Sequence, residues 1–249
     1  MIYITGDVHG DWMTRLNSRA FPEGREMTKD DYVIICGDFG IWNNSTDERY
    51  RLAWLDDKPF TTLFVDGNHE NYDLLDTHTV EMWHGGKIHK IMPSVIHLMR
   101  GQVFDICDKK IFTFGGASSH DIDGGVFDMS DPDLPEKISA ADEKNLPYRI
   151  NHYSWWEREL PSAAEMQEGK NNLDNNDNNV DFIVTHSPDS GIIKQIGAGL
   201  YDTDRLSDYL LWIKMNIKYD RWFFGHMHID ENFMHEKTIA LYEQIIRIA

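Results

Sequence analysis

The chain has 249 residues, enough for one large α/β domain or two small ones, and its 24 Lys and Arg stand against 42 Asp and Glu, a formal charge of −18. Such an acidic surface repels polyphosphate backbones and argues against long RNA or DNA as a partner. Two distant cysteines, Cys36 and Cys107, do not make a disulfide scaffold, and no apolar run is long enough to cross a bilayer.

Met1 leads directly into strand-like Ile2-Tyr3-Ile4, leaving no room for a cleavable signal, so a cytoplasmic protein away from membranes is expected. In chain order, residues 2–5 read as a strand, 11–20 as a helix opened by Asp11, and 32–36 as a strand of the fully buried type. An amphipathic helix over 47–57 puts Tyr50, Ala53 and Trp54 on one side; a strand over 62–65 and a short helix over 71–78 follow. This βαβαβ order predicts parallel pairing through right-handed crossovers.

From residue 85 the spacing becomes hairpin-like, with strands over 87–91, 95–99, 102–106 and 110–114 that extend the sheet or start a second one. A Gly-, Asp- and Pro-rich stretch reaches about residue 147, a helix is expected from Pro161-Ser162, and the polar run 171–179 is expected to have no fixed structure. Then come a strand over 182–184, a helix over 204–216, a strand over 221–224 and two final strands near 238–241 and 244–248. One domain over 1–249 is expected, with an irregular insertion or lid at about 117–180, because the blocks considered next run from residue 7 to residue 228 and must converge.

Five short blocks of metal-ligand residue types each fall where a predicted strand ends: Gly6-Asp7-Val8-His9-Gly10, Gly37-Asp38, Gly67-Asn68-His69-Glu70, Thr185-His186 and Gly225-His226-Met227-His228. In Asp7-x-His9 and His226-x-His228 the paired donors are two positions apart, so extended backbone would aim both at one place while Val8 and Met227 face packing. Carboxyl ends of strands are where open α/β sheets hold ligands. Asp38 has two oxygens with which to bridge cations, and Asn68 offers a neutral amide oxygen. Singly, each block has a plainer reading, such as a capping pair, a buried histidine pair or an Asn-stabilised turn. Jointly they suit two divalent cations, Mn, Fe, Zn or Co with Mn favoured, and the attack of a metal-activated water on a phosphorus ester.

The order of these blocks closely resembles the calcineurin-like metallophosphoesterases, over residues 2–75 and 182–230. The resemblance implies a four-layer α/β/β/α sandwich of two mixed sheets. It also implies that Asp7, His9, Asp38 and His228 hold one metal and that Asp38, Asn68, His186 and His226 hold the other, with a water bridging them as nucleophile. His69 would then stand near the leaving group, as general acid or transition-state donor. The implied activity is that of a phosphatase or phosphodiesterase on a small phosphomonoester, phosphodiester or nucleotide.

The Asp-Arg-Gly of the related serine/threonine protein phosphatases is absent, since Asp38 is followed by Phe39-Gly40-Ile41-Trp42; this counts against a protein phosphatase. Arg100 and Arg149 are the candidates for gripping phosphate in its place. A non-catalytic docking module that keeps the fold is the alternative from another class. The remaining histidines, His120 and His152 among them, read as surface or supporting groups, Trp155-Trp156 as core or lid packing, and residues 121–133 as a solvated loop. Oligomeric state is left open.

Overall fold

The computed structural model describes residues 1–198 and 201–249. In chain order its strands are β1 (Ile2–Thr5), β2 (Tyr32–Ile35), β3 (Thr61–Phe64), β4 (Val80–Trp83), β5 (Gly86–Met92), β6 (Val95–Leu98), β7 (Gln102–Ile106), β8 (Lys109–Phe114), β9 (Gly125–Phe127), β10 (Tyr148–Ile150), β11 (Phe182–Thr185), β12 (Arg221–Phe224), β13 (Glu231–Phe233), β14 (Thr238–Ala240) and β15 (Ile245–Arg247). Its helices are α1 (Trp12–Arg15), α2 (Thr46–Asp56), α3 (Tyr72–Leu75), α4 (Leu134–Glu143), α5 (Ala163–Asp174), α6 (Ser190–Ile196) and α7 (Arg205–Asn216).

Seven strands form one sheet in the order β15-β1-β2-β3-β6-β5-β4, and six form another in the order β13-β14-β12-β11-β8-β7. β1, β2, β3 and β6 run parallel, as do β8, β11, β12 and β14, while the outer strands pair antiparallel. The period-two alternation of side chains sets the layers. Ile2, Ile4, Ile34 and Leu63 of the first sheet share a buried cluster with Ile111, Phe182, Val184 and Phe223 of the second. Their neighbours point outward: Tyr3, Val33, Ile35 and Phe64 pack with Trp12, Leu52, Leu55 and Leu75. On the far side Phe112, Phe114, Ile183 and Trp222 pack with Leu173, Leu206, Leu210 and Ile213. The result is the expected helix–sheet–sheet–helix sandwich, and strands buried on both faces explain their continuous apolar runs.

Several local expectations are corrected. The helix expected over 11–20 shrinks to α1, and Asp11 makes no side-chain cap. Asn17 ends it: its amide donates to the carbonyls of Met13 and Thr14 and its oxygen accepts from the backbone of Arg19 and Ala20, an alternative to helical bonding. The stretch from 117 to 150 is not wholly irregular, since β9 and β10 form a two-stranded parallel ribbon and α4 starts at a Pro-containing first turn. The run 171–179 is ordered as well. α5 continues to Asp174, and the chain then turns through Asp177 and Asn178 with φ of 55° and 52°, a region these residue types tolerate. Two further strands and one further helix went unanticipated: β4, β13 and α6, the last capped by Asp189. No helix among the described residues is long and apolar enough to cross a membrane. Cys36 is buried, Cys107 exposed, and both are free.

Candidate metal centre

Because β1, β2, β3, β11 and β12 end on one edge of the stacked sheets, the segments that follow them meet there. Asp7, His9, Asp38, Asn68, His186, His226 and His228 all come from these segments. They are not aimed by extended backbone, as the two-residue spacing suggested. His9, Asp38, His226 and His228 have φ of 47°, 46°, 64° and 49°, left-handed conformations that cost about 1–3 kcal/mol each outside glycine. Four such residues in one place mark a loop cluster bent to converge its side chains. Val8 and Met227 nevertheless face packing as expected.

Two groupings result. In the inner one, His186 is fully buried and its Nδ1 donates to the Cys36 carbonyl at 2.8 Å, which leaves Nε2 as a lone pair. That nitrogen lies 3.2 Å from Asn68 Oδ1 and 3.3 Å from Asp38 Oδ1. Three electron-pair donors thus converge with no hydrogen among them, an arrangement a cation satisfies. In the outer grouping His228 Nε2 lies 3.2 Å from both Asp7 Oδ2 and His9 Nε2, and one proton there serves only one of the two. The other carboxylate oxygen of Asp38 approaches His9 Nδ1 at 3.8 Å, so this residue touches both groupings. Burial alone would push the Asp38 carboxyl up, but His186, His69 and His9 outweigh it and hold it below the ordinary range. The hydrogen bond that its ring donates to Asp7 raises His228, while burial and the neighbouring His186 push His226 well below the ordinary histidine value.

Backbone closeness requires two of the flanking glycines. A Cβ on Gly67 would lie 2.0 Å from Asp38 Oδ1, and one on Gly37, which has φ of 89°, would lie 2.2 Å from His186 Nδ1. Glu70, the last residue of its block, is fully buried and accepts backbone N–H groups from Phe39, Gly40 and Ile41 at 2.6, 3.1 and 3.3 Å. It shapes the loop that carries Asp38.

His69 donates its backbone N–H to Asp38 Oδ1 at 2.8 Å, and its ring meets His9 edge-on at 5.3 Å. Burial pushes the His69 ring below the ordinary histidine value, with Asp38 raising it and Arg149 lowering it. Arg149 pairs with Asp121, and both charges act on His69. Arg100 is elsewhere: its guanidinium is buried and turned onto Asp66, with Nε at 2.8 Å and a terminal nitrogen at 2.5 Å from Oδ2. An arginine so enclosed is not exposed to grip a phosphate.

Three residues that sequence reasoning left in the background reach this place. His120 Nε2 lies 3.0 Å from His226 Nε2, and Ser119 Oγ lies 3.4 Å from Asn68 Nδ2, with Glu159 behind it. The position of Ser119-His120 just past β8 is the one local signal that pointed here. Beside Asp7 and His9 opens a cleft of about 650 Å³ lined by Thr14, Arg15, Phe21 and Tyr242.

A sequence profile for the family described as calcineurin-like phosphoesterase matches residues 1–230. No curated protein matches the chain significantly. Among solved structures, the phosphopantetheinyl hydrolase of Mycobacterium tuberculosis is similar at 16% identity and a TM-score of 0.45, over 97% of this chain and 87% of that one. A Staphylococcus aureus protein assigned as a 5'-nucleotidase, in complex with alpha-ketoglutarate, is similar at 16% identity and a TM-score of 0.46, over 97% of this chain and 48% of that one.

Proposed function

Given that the chain belongs to the calcineurin-like phosphoesterase family and is a hydrolase, we propose that it cleaves small phosphoric esters with two divalent cations held at the two groupings. Asp7, His9, Asp38 and His228 would bind one, and Asp38, Asn68, His186 and His226 the other, Asp38 serving both. When bound, two such ions supply Lewis acidity toward a water and toward the phosphoryl oxygens. Manganese suits this mixed carboxylate and imidazole set, as do iron, zinc and cobalt. The observation that carries the reading is that two oxygens, Asn68 Oδ1 and Asp38 Oδ1, lie 3.2 and 3.3 Å from the lone pair of His186 Nε2.

The chain's own residues do the rest. Two carboxylates among the donors, Asp7 and Asp38, leave a loaded centre with about two net positive charges, enough to draw a phosphate locally on a chain of charge −18. His69, fixed through its backbone to Asp38, donates to the leaving oxygen as acid or transition-state N–H donor. Arg149, close enough for its charge to act on His69, steadies the ester from the side of the segment 117–180, which acts as a lid on a single catalytic unit. The open cleft beside His9 suits a small monoester, diester or nucleotide, turned over in the cytoplasm.

Protein stripped with EDTA and reloaded with Mn²⁺ should hydrolyse p-nitrophenyl phosphate, its bis ester or a member of a nucleotide panel, and His69→Ala should lower turnover without removing metal. No metal-dependent turnover on any of these esters would overturn the catalytic reading and favour a docking module.

A further inference from the structure

Asn68 is a symmetric-looking amide, and only one of its two ends binds a cation. The groups that decide which end faces the metal position come from outside the five blocks. Glu159, 3% exposed, accepts both hydrogens of Ser119: the backbone N–H at 2.8 Å on Oε1 and the hydroxyl at 2.7 Å on Oε2. A hydroxyl has one hydrogen, so Ser119 Oγ is left purely an acceptor. The Asn68 atom facing it at 3.4 Å is therefore the NH₂, and Oδ1 is turned the other way, 3.2 Å from His186 Nε2. A flipped amide would set oxygen against oxygen at Ser119 and would turn its NH₂, which offers a cation no electron pair, toward His186 Nε2.

We propose that Ser119 and Glu159 are positioning residues that lock the Asn68 amide with its oxygen toward the inner cation position and so set the affinity of that position; this rests on the two-cation reading above. The lock is itself braced. Arg100 donates to the carbonyls of Arg158 and Glu159 at 2.8 and 3.3 Å while clamping Asp66, two residues before Asn68. The backbone of Gly116 donates to the Asp66 carbonyl at 2.8 Å. Asp66, Arg100, Glu159, Ser119 and Asn68 form a closed ring, so the loop carrying Asn68 is tied at its base and at its side chain by one clasp.

The test is Mn²⁺ titration of metal-free protein by calorimetry, with electron paramagnetic resonance at each stoichiometry, on the wild type, Ser119→Ala, Glu159→Gln and Ser119→Thr. Gln can donate into Ser119 and free its hydroxyl hydrogen toward Asn68, whereas Thr keeps the hydroxyl. In Ser119→Ala and Glu159→Gln one Mn²⁺ should bind as in the wild type and the other about 10–100-fold more weakly. At two equivalents the spin-coupled signal should give way to that of an isolated ion, and Ser119→Thr should restore the coupling. Should Glu159→Gln fail to fold, Ser119→Ala carries the test, since it removes a single oxygen atom. Unchanged binding of both ions in Ser119→Ala, or equal weakening of both, overturns the proposal. Fewer than two Mn²⁺ bound by the wild type overturns the two-cation reading first and this inference with it.

Discussion

Replacing Arg100 by Met keeps most of the side-chain volume and deletes its charge. Both members of the Arg100–Asp66 pair are enclosed, with side chains 4% and 2% exposed. The substitution leaves the Asp66 carboxylate buried with Tyr72 at 2.9 Å and His97 at 3.1 Å as its remaining side-chain partners. Removing one side of a buried ion pair costs about 3–5 kcal/mol. The carbonyls of Arg158 and Glu159 also lose a donor, about 1 kcal/mol each where water does not replace it, and His97 offsets part of the total. A net loss of about 4 kcal/mol lowers Tm by about 8–16 °C in a chain of this size.

The assay is thermal unfolding by circular dichroism in EDTA, so that bound cations do not mask the loss. Acid supplies a second reading. Burial alone would raise Asp66, but Arg100 and His97 overcome it and hold the carboxyl far below the ordinary range. A depressed carboxyl adds stability above its unfolded value, about 4, and that stability drains away as the pH falls below it. The gap between wild type and Arg100→Met should therefore narrow in acid. A fall in Tm of less than about 3 °C, or a gap that widens below pH 4, would refute the assignment of Arg100 as a structural clasp.

Asp38→Asn should lower the occupancy of both cation positions and His9→Ala mainly that of one; elemental analysis showing two retained ions and full activity in Asp38→Asn would end the bridging role. Gly67→Ala, whose new Cβ would lie 2.0 Å from Asp38 Oδ1 and 2.4 Å from its backbone nitrogen, should reduce turnover by about 100-fold with the circular dichroism spectrum retained, and wild-type rates would contradict it. His89, pushed down to about 4 by burial and the adjacent His97, should stay neutral through pH 5 when followed by NMR. Its folded value lies below the unfolded one, so stability declines as pH drops from about 6.5 toward 4, and an ordinary titration near 6.5 would show the site to be open to water.

Much of this protein is legible from local pattern. The apolar runs that became β1, β2, β3, β11 and β12, the parallel order they take, the hairpin-like strands after residue 85, and the gathering of carboxylate, amide and imidazole residues at strand ends all follow from side-chain period and turn chemistry acting over a few residues. Local pattern could not assign Arg100: a cation in a middle segment reads as a ligand grip, and only the parallel pairing of β3 with β6, whose ends carry the two residues, puts Asp66 against it. Nor could it find Ser119 and Glu159, forty positions apart and one and two hydrogen bonds from Asn68, or the left-handed backbone at His9, Asp38, His226 and His228. Those features depend on which distant loops share an edge of the sandwich. Their energy lies in burial and in contacts between chain segments, which no short window of residues contains.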